Sequence, residues 1–418
     1  MLVYVLNNDG KPLMPCKEAK ARKLLRDGKA RAVKRTPFTI QLEWNCENQV
    51  QPVMLGVDTG YKKVGLSAVS EDKELFGSEA LLRMDISKLL SEKRQYRRTR
   101  RNRLWYRKPR FLNRVKTKTV GYLAPSVEHR LNEHIKSVNL VKSILPVSLI
   151  VVEAAAFDIQ KIKNHDISGV EYQNGEQKNF WNVREYVLHR DNHTCQSCNG
   201  KSKDKILNVH HIKSRQTGGD RPDNLITLCE TCHKAYHNGK IELKVKKHRG
   251  FKAESIMSIL RWKIVNRLRE LGNTVNITYG YITKSARIAL KLAKSHINDA
   301  FVIAGGTVQE RTGNNYFIKF VRKCNRSLFN ANLLKGGKRK VNTIKNAFGF
   351  RRWDKVVSDK KVECFIYGLR SSGYFDIRSL TGEKINASVK YADLRSIELF
   401  KTWRIALLSA LADGVSEL

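Results

Sequence analysis

The chain has 418 residues, 41% of them apolar, and sets 79 Lys and Arg against 39 Asp and Glu. That much apolar material supports several packed cores and excludes wholesale disorder. A net charge of +40 repels itself in a compact fold unless a polyanion neutralises it, and nucleic acid is the polyanion that Lys and Arg bind by releasing counterions.

Residues 1–50 read as a small module. Val3 to Leu6 is a strand rather than a secretion signal, Asn8-Asp9-Gly10 is a turn, and Lys17 to Asp27 is a helix closed by Gly28. Ala30 to Trp44 alternates like one strand. Val53 to Val57 forms an apolar strand ending at Asp58, and Val64 to Val69 returns beside it. From Ile86 nothing breaks a helix before Pro109, and the segment carries Arg94, Arg97, Arg98, Arg100, Arg101, Arg103 and Arg107. Leu89, Leu90, Tyr96, Leu104, Trp105 and Tyr106 interleave with them, which favours an ordered helix clamping nucleic acid over a solvated charge run. Val127 to Ile144 is helical, Leu149 to Glu153 is a buried-type strand, and residues 162–177 are polar and loop-like. Lys252 to Leu271 is helical, Thr274 to Tyr279 extended, and Thr283 to Gly305 one helix containing His296 and Asp299. The remainder mixes short strands with Lys-rich turns such as 336–340. No apolar run approaches the ~20 residues of a spanning helix.

Four of the eight cysteines, Cys195, Cys198, Cys229 and Cys232, form two CxxC pairs separated by thirty residues. This spacing fits a structural zinc site closed by four thiolates, and it fits a reducing, cytoplasmic setting better than a disulfide scaffold. Between and after the pairs stand His210-His211-Ile212, Asn224-Leu225 and Cys232-His233. Hydrolysis of a phosphodiester needs a deprotonated water and a cation on the phosphate oxygens. Histidine titrates near neutrality and suits the first task. Adjacent strand residues point to opposite faces, so one histidine of the pair can ligate while the other acts as base. The segment resembles the HNH endonuclease family and its ββα-metal core. The resemblance implies that His211 is the general base, that His210 and His233 hold a single magnesium, and that Asn224 orients the loop of the base. His237 remains an alternative ligand to His233.

Outside this segment stand Leu55-Gly-Val-Asp58-Thr-Gly, Ile150-Val-Val-Glu153 and His296-Ile-Asn-Asp299-Ala. Taken singly, acids at strand ends are ordinary. Together they resemble the RuvC-type, ribonuclease-H-like nucleases, which implies that Asp58, Glu153 and Asp299 hold two magnesium ions and that His296 assists as a base. The order of first acid, arginine-rich helix, second acid, HNH segment and third acid is similar to that of the IscB family of transposon-encoded, RNA-guided nucleases. Their N-terminal signature matches Pro12-Leu13-Met14-Pro15. A looser likeness continues through Phe348-Gly-Phe-Arg-Arg and Arg370 to Arg378.

The implied fold class is a mixture of α/β and α+β domains. It comprises a ribonuclease-H-like (RuvC) mixed sheet split in three, an inserted ββα-metal HNH domain and a small mixed C-terminal domain. The expected divisions are 1–50 (PLMP module), 51–85, 116–165 and 251–306 (RuvC-like parts), 86–115 (bridge helix), 166–250 (HNH with its zinc knuckle) and 307–418 (RNA- and target-motif-interacting). The implied activity is RNA-guided cleavage of both DNA strands by a monomeric protein in a ribonucleoprotein. HNH would cut the guide-paired strand of a double-stranded target, and the RuvC-like site the displaced one. A protein-only homing or junction endonuclease is the alternative.

Overall fold

The computed structural model describes residues 2–47, 49–102, 122–154, 183–212, 224–243, 252–322, 344, 346–358, 362–399 and 401–408. Arg103, Arg107, the loop at 162–177 and the basic turn at 336–340 lie outside the described residues, and nothing is said of the side chains at 99–102. The chain divides into two compact units, 1–155 with 256–418, and 156–255. Residues 166–250, the expected insert, lie inside the second.

The first unit opens with a four-stranded sheet in the order β2-β1-β4-β3, built from β1 (Leu2–Leu6), β2 (Pro12–Lys17), β3 (Ala30–Lys34) and β4 (Thr39–Leu42). Helix α1 (Glu18–Arg26) buries Ala21 against it, with Leu24 and Leu25 packed alongside. Gly28 has φ +68°, the left-handed conformation that glycine adopts most cheaply at a helix C-terminus. The alternation of β1 splits its side chains: Val3 and Val5 enter the core under α1, while Tyr4 joins the main core and donates to the Leu75 carbonyl at 2.9 Å. The single strand expected over 30–44 is a hairpin instead, because Pro37 has no N–H for a ladder and the chain turns there. Pro12–Lys17, read only as a signature, is a strand.

The main sheet has eight strands. They are β5 (Val53–Thr59), β6 (Lys63–Val69), β7 (Lys73–Leu81), β8 (Val147–Glu153), β11 (Val275–Thr278), β12 (Glu310–Arg311), β13 (Asn315–Phe320) and β19 (Trp403–Leu407). The order is β11-β8-β5-β6-β7-β13-β19, with β12 beside β7. β5, β6 and β7 run antiparallel, whereas β8 joins β5 in parallel and β11 joins β8 in parallel. Helices α3 (Pro125–Lys142) and α6 (Lys252–Glu270) supply Leu131, Val138, Val141, Leu260, Ile264 and Leu268 to the core, all of them buried. Helix α8 (His296–Ile303) lies directly on β5 and β6. A Cβ at Gly56 would collide with the Ala300 carbonyl, and one at Gly65 with the His296 carbonyl. Those two glycines let the helix approach backbone to backbone.

The helix expected over 283–305 is two helices, α7 (Gly280–Ala289) and α8. No Gly or Pro marks the break. Lys291 takes a left-handed φ of 53° while Leu292 N–H closes on the Arg287 carbonyl, and Ser295 caps α8 by accepting from Asn298 N–H at 3.1 Å.

Helix α2 (Ile86–Asn102) follows β7. Ile86, Leu89, Leu90 and Tyr96 are half-buried, whereas Arg94, Arg97 and Arg98 are exposed. A second antiparallel sheet ends the unit, in the order β17-β16-β15-β14-β18, from β14 (Lys355–Ser358), β15 (Glu363–Gly368), β16 (Tyr374–Arg378), β17 (Lys384–Lys390) and β18 (Leu394–Glu398). Arg404 of β19 is fully buried and faces Asp354 and Glu398 at 3.9 and 4.0 Å.

In the second unit, α4 (Val183–Arg190) leads to the first CxxC. The antiparallel hairpin of β9 (Leu207–His211) and β10 (Leu225–Cys229) then runs straight into α5 (Glu230–His237). This is a ββα unit. Among the described residues, no helix is long and apolar enough to cross a membrane.

Candidate metal centres

The four cysteines of the second unit converge: their sulfurs all lie within 4.8 Å of one another. Cys198 and Cys229 Sγ are 3.9 Å apart, close to the ~3.8 Å edge of a tetrahedron with metal–sulfur bonds of about 2.3 Å. Cys229 ends β10 and caps α5, its sulfur accepting from Cys232 N–H. Burial and the neighbouring sulfurs raise the Cys232 thiol, while hydrogen bonds from Ser202 lower that of Cys198 to about 6; bringing all four to thiolates at such short separations calls for a compensating cation. The donor set fits zinc. Replacing Cys195, which is buried, by Ser is therefore expected to reduce bound zinc to below one per chain and to unfold this unit, because structural metal binding is folding free energy. Zinc stoichiometry and hydrogen exchange across 183–243 check it, and exchange in the first unit should not change.

The histidines form a second cluster. His210 on β9 meets His233 and His237, which stand four apart on one face of α5, and their nitrogens lie within 4.8 Å. His233 and His237 Nε2 are 3.3 Å apart. Sequence reading made His237 a substitute for His233, whereas the structure brings both to His210, since an i, i+4 pair on a helix shares a face. His210 Nε2 is buried without a hydrogen-bond partner among the described residues. Burial, then the neighbouring imidazoles, lower His210 to about 4, and burial also lowers His233. Near pH 7 His210 is therefore neutral and offers a lone pair, which fits a divalent cation. His211 lines the same cleft of about 420 Å³ with Tyr236. Asn224 is buried, and its carbonyl accepts from Ile212 N–H at 2.8 Å, fixing the chain next to His211.

The acids gather in the first unit. Asp58 lies on β5, Glu153 ends the neighbouring β8, and His296 and Asp299 project from the first turn of α8. His296 Nδ1 is 2.6 Å from Asp58 Oδ2. That hydrogen bond, with the charge of Asp58 beside it, raises the His296 imidazole above its ordinary value. Burial, with repulsion from Asp58 and Asp299, raises Glu153, and burial with Asp58 raises Asp299. The carboxylates thus repel one another, a strain that cations between them relieve. Their oxygens are not clustered within 4.8 Å as the thiols and imidazoles are. Two guanidiniums stand against them: Arg287 Nε is 2.8 Å from Asp299 Oδ1, and Arg261 Nη2 is 4.0 Å from Glu153 Oε1. Arg261 also donates to Thr59 Oγ1 at 3.2 Å. Sequence reading missed both arginines, because nothing marks two of 79 basic residues.

The exposed arginines of α2 belong to no ion pair with an acid among the described residues. Replacing Arg97, Arg98, Arg100 and Arg101 with Ala is expected to flatten the salt dependence of nucleic-acid binding by about 0.7–0.9 log units per lost phosphate contact. Titrations at several salt concentrations measure it, and an unchanged slope would mean that this face only meets water.

Compared with known proteins, residues 3–175 match the family model described as RRXRR protein, and residues 195–239 match that of the HNH endonuclease. No curated protein matches the chain. Similar solved structures include Streptococcus thermophilus Cas9 in complex with the AGAA PAM, at 15% identity and a TM-score of 0.32, covering 48% of this chain and 30% of that one. The same organism's Cas9 with the AGGA PAM gives 14%, 0.30, 47% and 27%. The chain therefore spans under a third of the length of either Cas9. The second match contains both the thiol and the imidazole cluster, so the chain joins an RRXRR region to an HNH endonuclease domain.

Proposed function

We propose that this chain is an RNA-guided DNA endonuclease of the IscB type with two separate cutting centres. The observation that carries the reading is the pairing, in one strongly basic chain, of an imidazole cluster in an HNH domain with three carboxylates and a histidine converging on a different sheet. The chain's divisions at 1–50, 51–85, 86–115, 116–165, 166–250, 251–306 and 307–418 follow that reading.

In the HNH centre, His210, His233 and His237 would hold one divalent cation, which would supply positive charge at the phosphate oxygens; magnesium is the ion the resemblance implies, while an all-imidazole donor set suits a transition metal better. His211 takes the proton from the attacking water, and Asn224 keeps the strand end that carries it in place. In the second centre Asp58, Glu153 and Asp299 would hold magnesium, which would supply positive charge to offset that on the attacking and leaving oxygens. His296 keeps a proton at Nδ1 against Asp58, while Arg261 and Arg287 shield the carboxylates from one another. The thiolate cluster holds zinc and has no open position for chemistry.

Base pairing with a guide supplies the sequence specificity in such a protein, and the chain reads backbone shape. The basic face of α2 and the net charge of +40 match a large RNA. Purification of the intact chain followed by sequencing of whatever RNA accompanies it tests this. One recurrent structured RNA is expected, and a nucleic-acid-free protein that cuts DNA unaided would contradict it.

A further inference from the structure

The rim of the acid site carries aromatic side chains that hydrolysis does not use. Helix α7 starts at Gly280, and a Cβ on Gly280 would lie 3.2 Å from Glu153 Oε1. On either side stand Tyr279 and Tyr281, 45% and 71% exposed. Their rings are parallel within 11°, with centroids 6.1 Å apart. Ile282 and Ile288 of α7 are also exposed. Scattered apolar residues on a surface need no explanation, but two parallel, exposed tyrosine rings flanking a backbone position beside Glu153 do. Cations stand on the same helix and in the segment that follows it. Lys284, Lys291 and Lys294 are exposed, and Lys294 is close enough to act electrostatically on Asp299.

Aromatic rings beside cations are the makings of a single-strand nucleic-acid platform, in which bases stack while phosphates meet positive charge. A paired duplex hides its base faces within its own stack. Only an unpaired strand can place bases on these rings while its phosphate reaches the carboxylates. We propose that Tyr279 and Tyr281 stack unpaired bases of the DNA strand cut at Asp58, Glu153 and Asp299, a proposal that rests on the nuclease reading of those acids.

The test uses the full chain in EDTA, so that nothing is cut, with a single-stranded DNA oligonucleotide carrying 5-iodo-deoxyuridine. Near-ultraviolet irradiation followed by peptide mapping is expected to place crosslinks on Tyr279 or Tyr281, with little yield from the same sequence paired in a duplex. Tyr281→Ala should lose the crosslink at that position and slow cutting of the displaced strand by about tenfold, the scale of one lost base stack. Tyr281→Phe should keep both, since the ring and not the hydroxyl does the stacking. Crosslinks confined to other peptides, equal yield from the duplex, or wild-type behaviour of Tyr281→Ala overturn the proposal. Asp58→Ala should still crosslink, so its cutting reports on the acid site separately from the platform.

Discussion

His211→Ala is expected to slow cutting of the guide-paired strand by about 10²–10⁴, the usual contribution of a positioned base, while the other strand is cut at the parental rate. The effect is confined because His211 shares no ligand with the acid site: its cleft is lined by His210, His233, His237 and Tyr236 of the same ββα unit. His210 remains in place, its buried Nε2 still available to a cation. The variant should therefore keep its metal while losing its base, and manganese binding measured by electron paramagnetic resonance should not change. His210→Ala should behave differently, losing both the cation and the cut. If His211→Ala instead lost metal as well, the roles assigned to the two adjacent histidines would have to be exchanged.

Asp58→Ala is expected to produce the mirror phenotype, with displaced-strand cutting reduced by about a thousandfold, the equivalent of several kcal/mol of metal-derived charge stabilisation. Asp58 is almost fully buried on a central strand and is the partner of His296 at 2.6 Å. Removing it both deletes a ligand and frees the imidazole, whose raised pKa depends first on that hydrogen bond. The sign can be checked by NMR. The folded-state pKa of His296 lies above the ordinary value, so the Asp58–His296 pair stabilises most fully below that ordinary value. Its contribution fades as pH rises through the folded pKa, and in Asp58→Ala the His296 titration should move down. Asp58→Asn, which keeps the shape, should lose the cut as Ala does, because the charge is what the site requires.

The pieces that periodicity controls were legible in the sequence. The β5 and β8 strands and the helices α1, α3 and α6 follow from runs of apolar residues and from Gly28, whereas the ββα order of the second unit came from the resemblance to HNH endonucleases. The thiol cluster was legible because CxxC spacing has few other uses. What escaped was set by packing rather than by local pattern. α7 and α8 read as one helix because their break uses Lys291 and Ser295, neither a conventional breaker. The hairpin at 30–42 was hidden because the alternation resumes on both sides of Pro37, the residue that marks the turn. Arg261 and Arg287 became part of the site only through the placement of α6 and α7, which no spacing rule encodes. His237 was visible as a ligand type, but its place beside His233 came from the helix that carries both. The eight-strand order, with β11 outside β8 and β13 joined in parallel to β7, depends on long-range pairing that the local text does not record.

The central claim is that a guide RNA directs both centres to one duplex, and strand-labelled cleavage by the intact ribonucleoprotein tests it most directly. Two duplexes are compared in magnesium, one matching the guide segment of the co-purified RNA and one scrambled, before and after ribonuclease treatment. The account predicts that both strands of the matched duplex are cut, that the scrambled duplex stays intact, and that ribonuclease or EDTA abolishes every cut. Cutting that is indifferent to the match, or that persists once the RNA is gone, would contradict it.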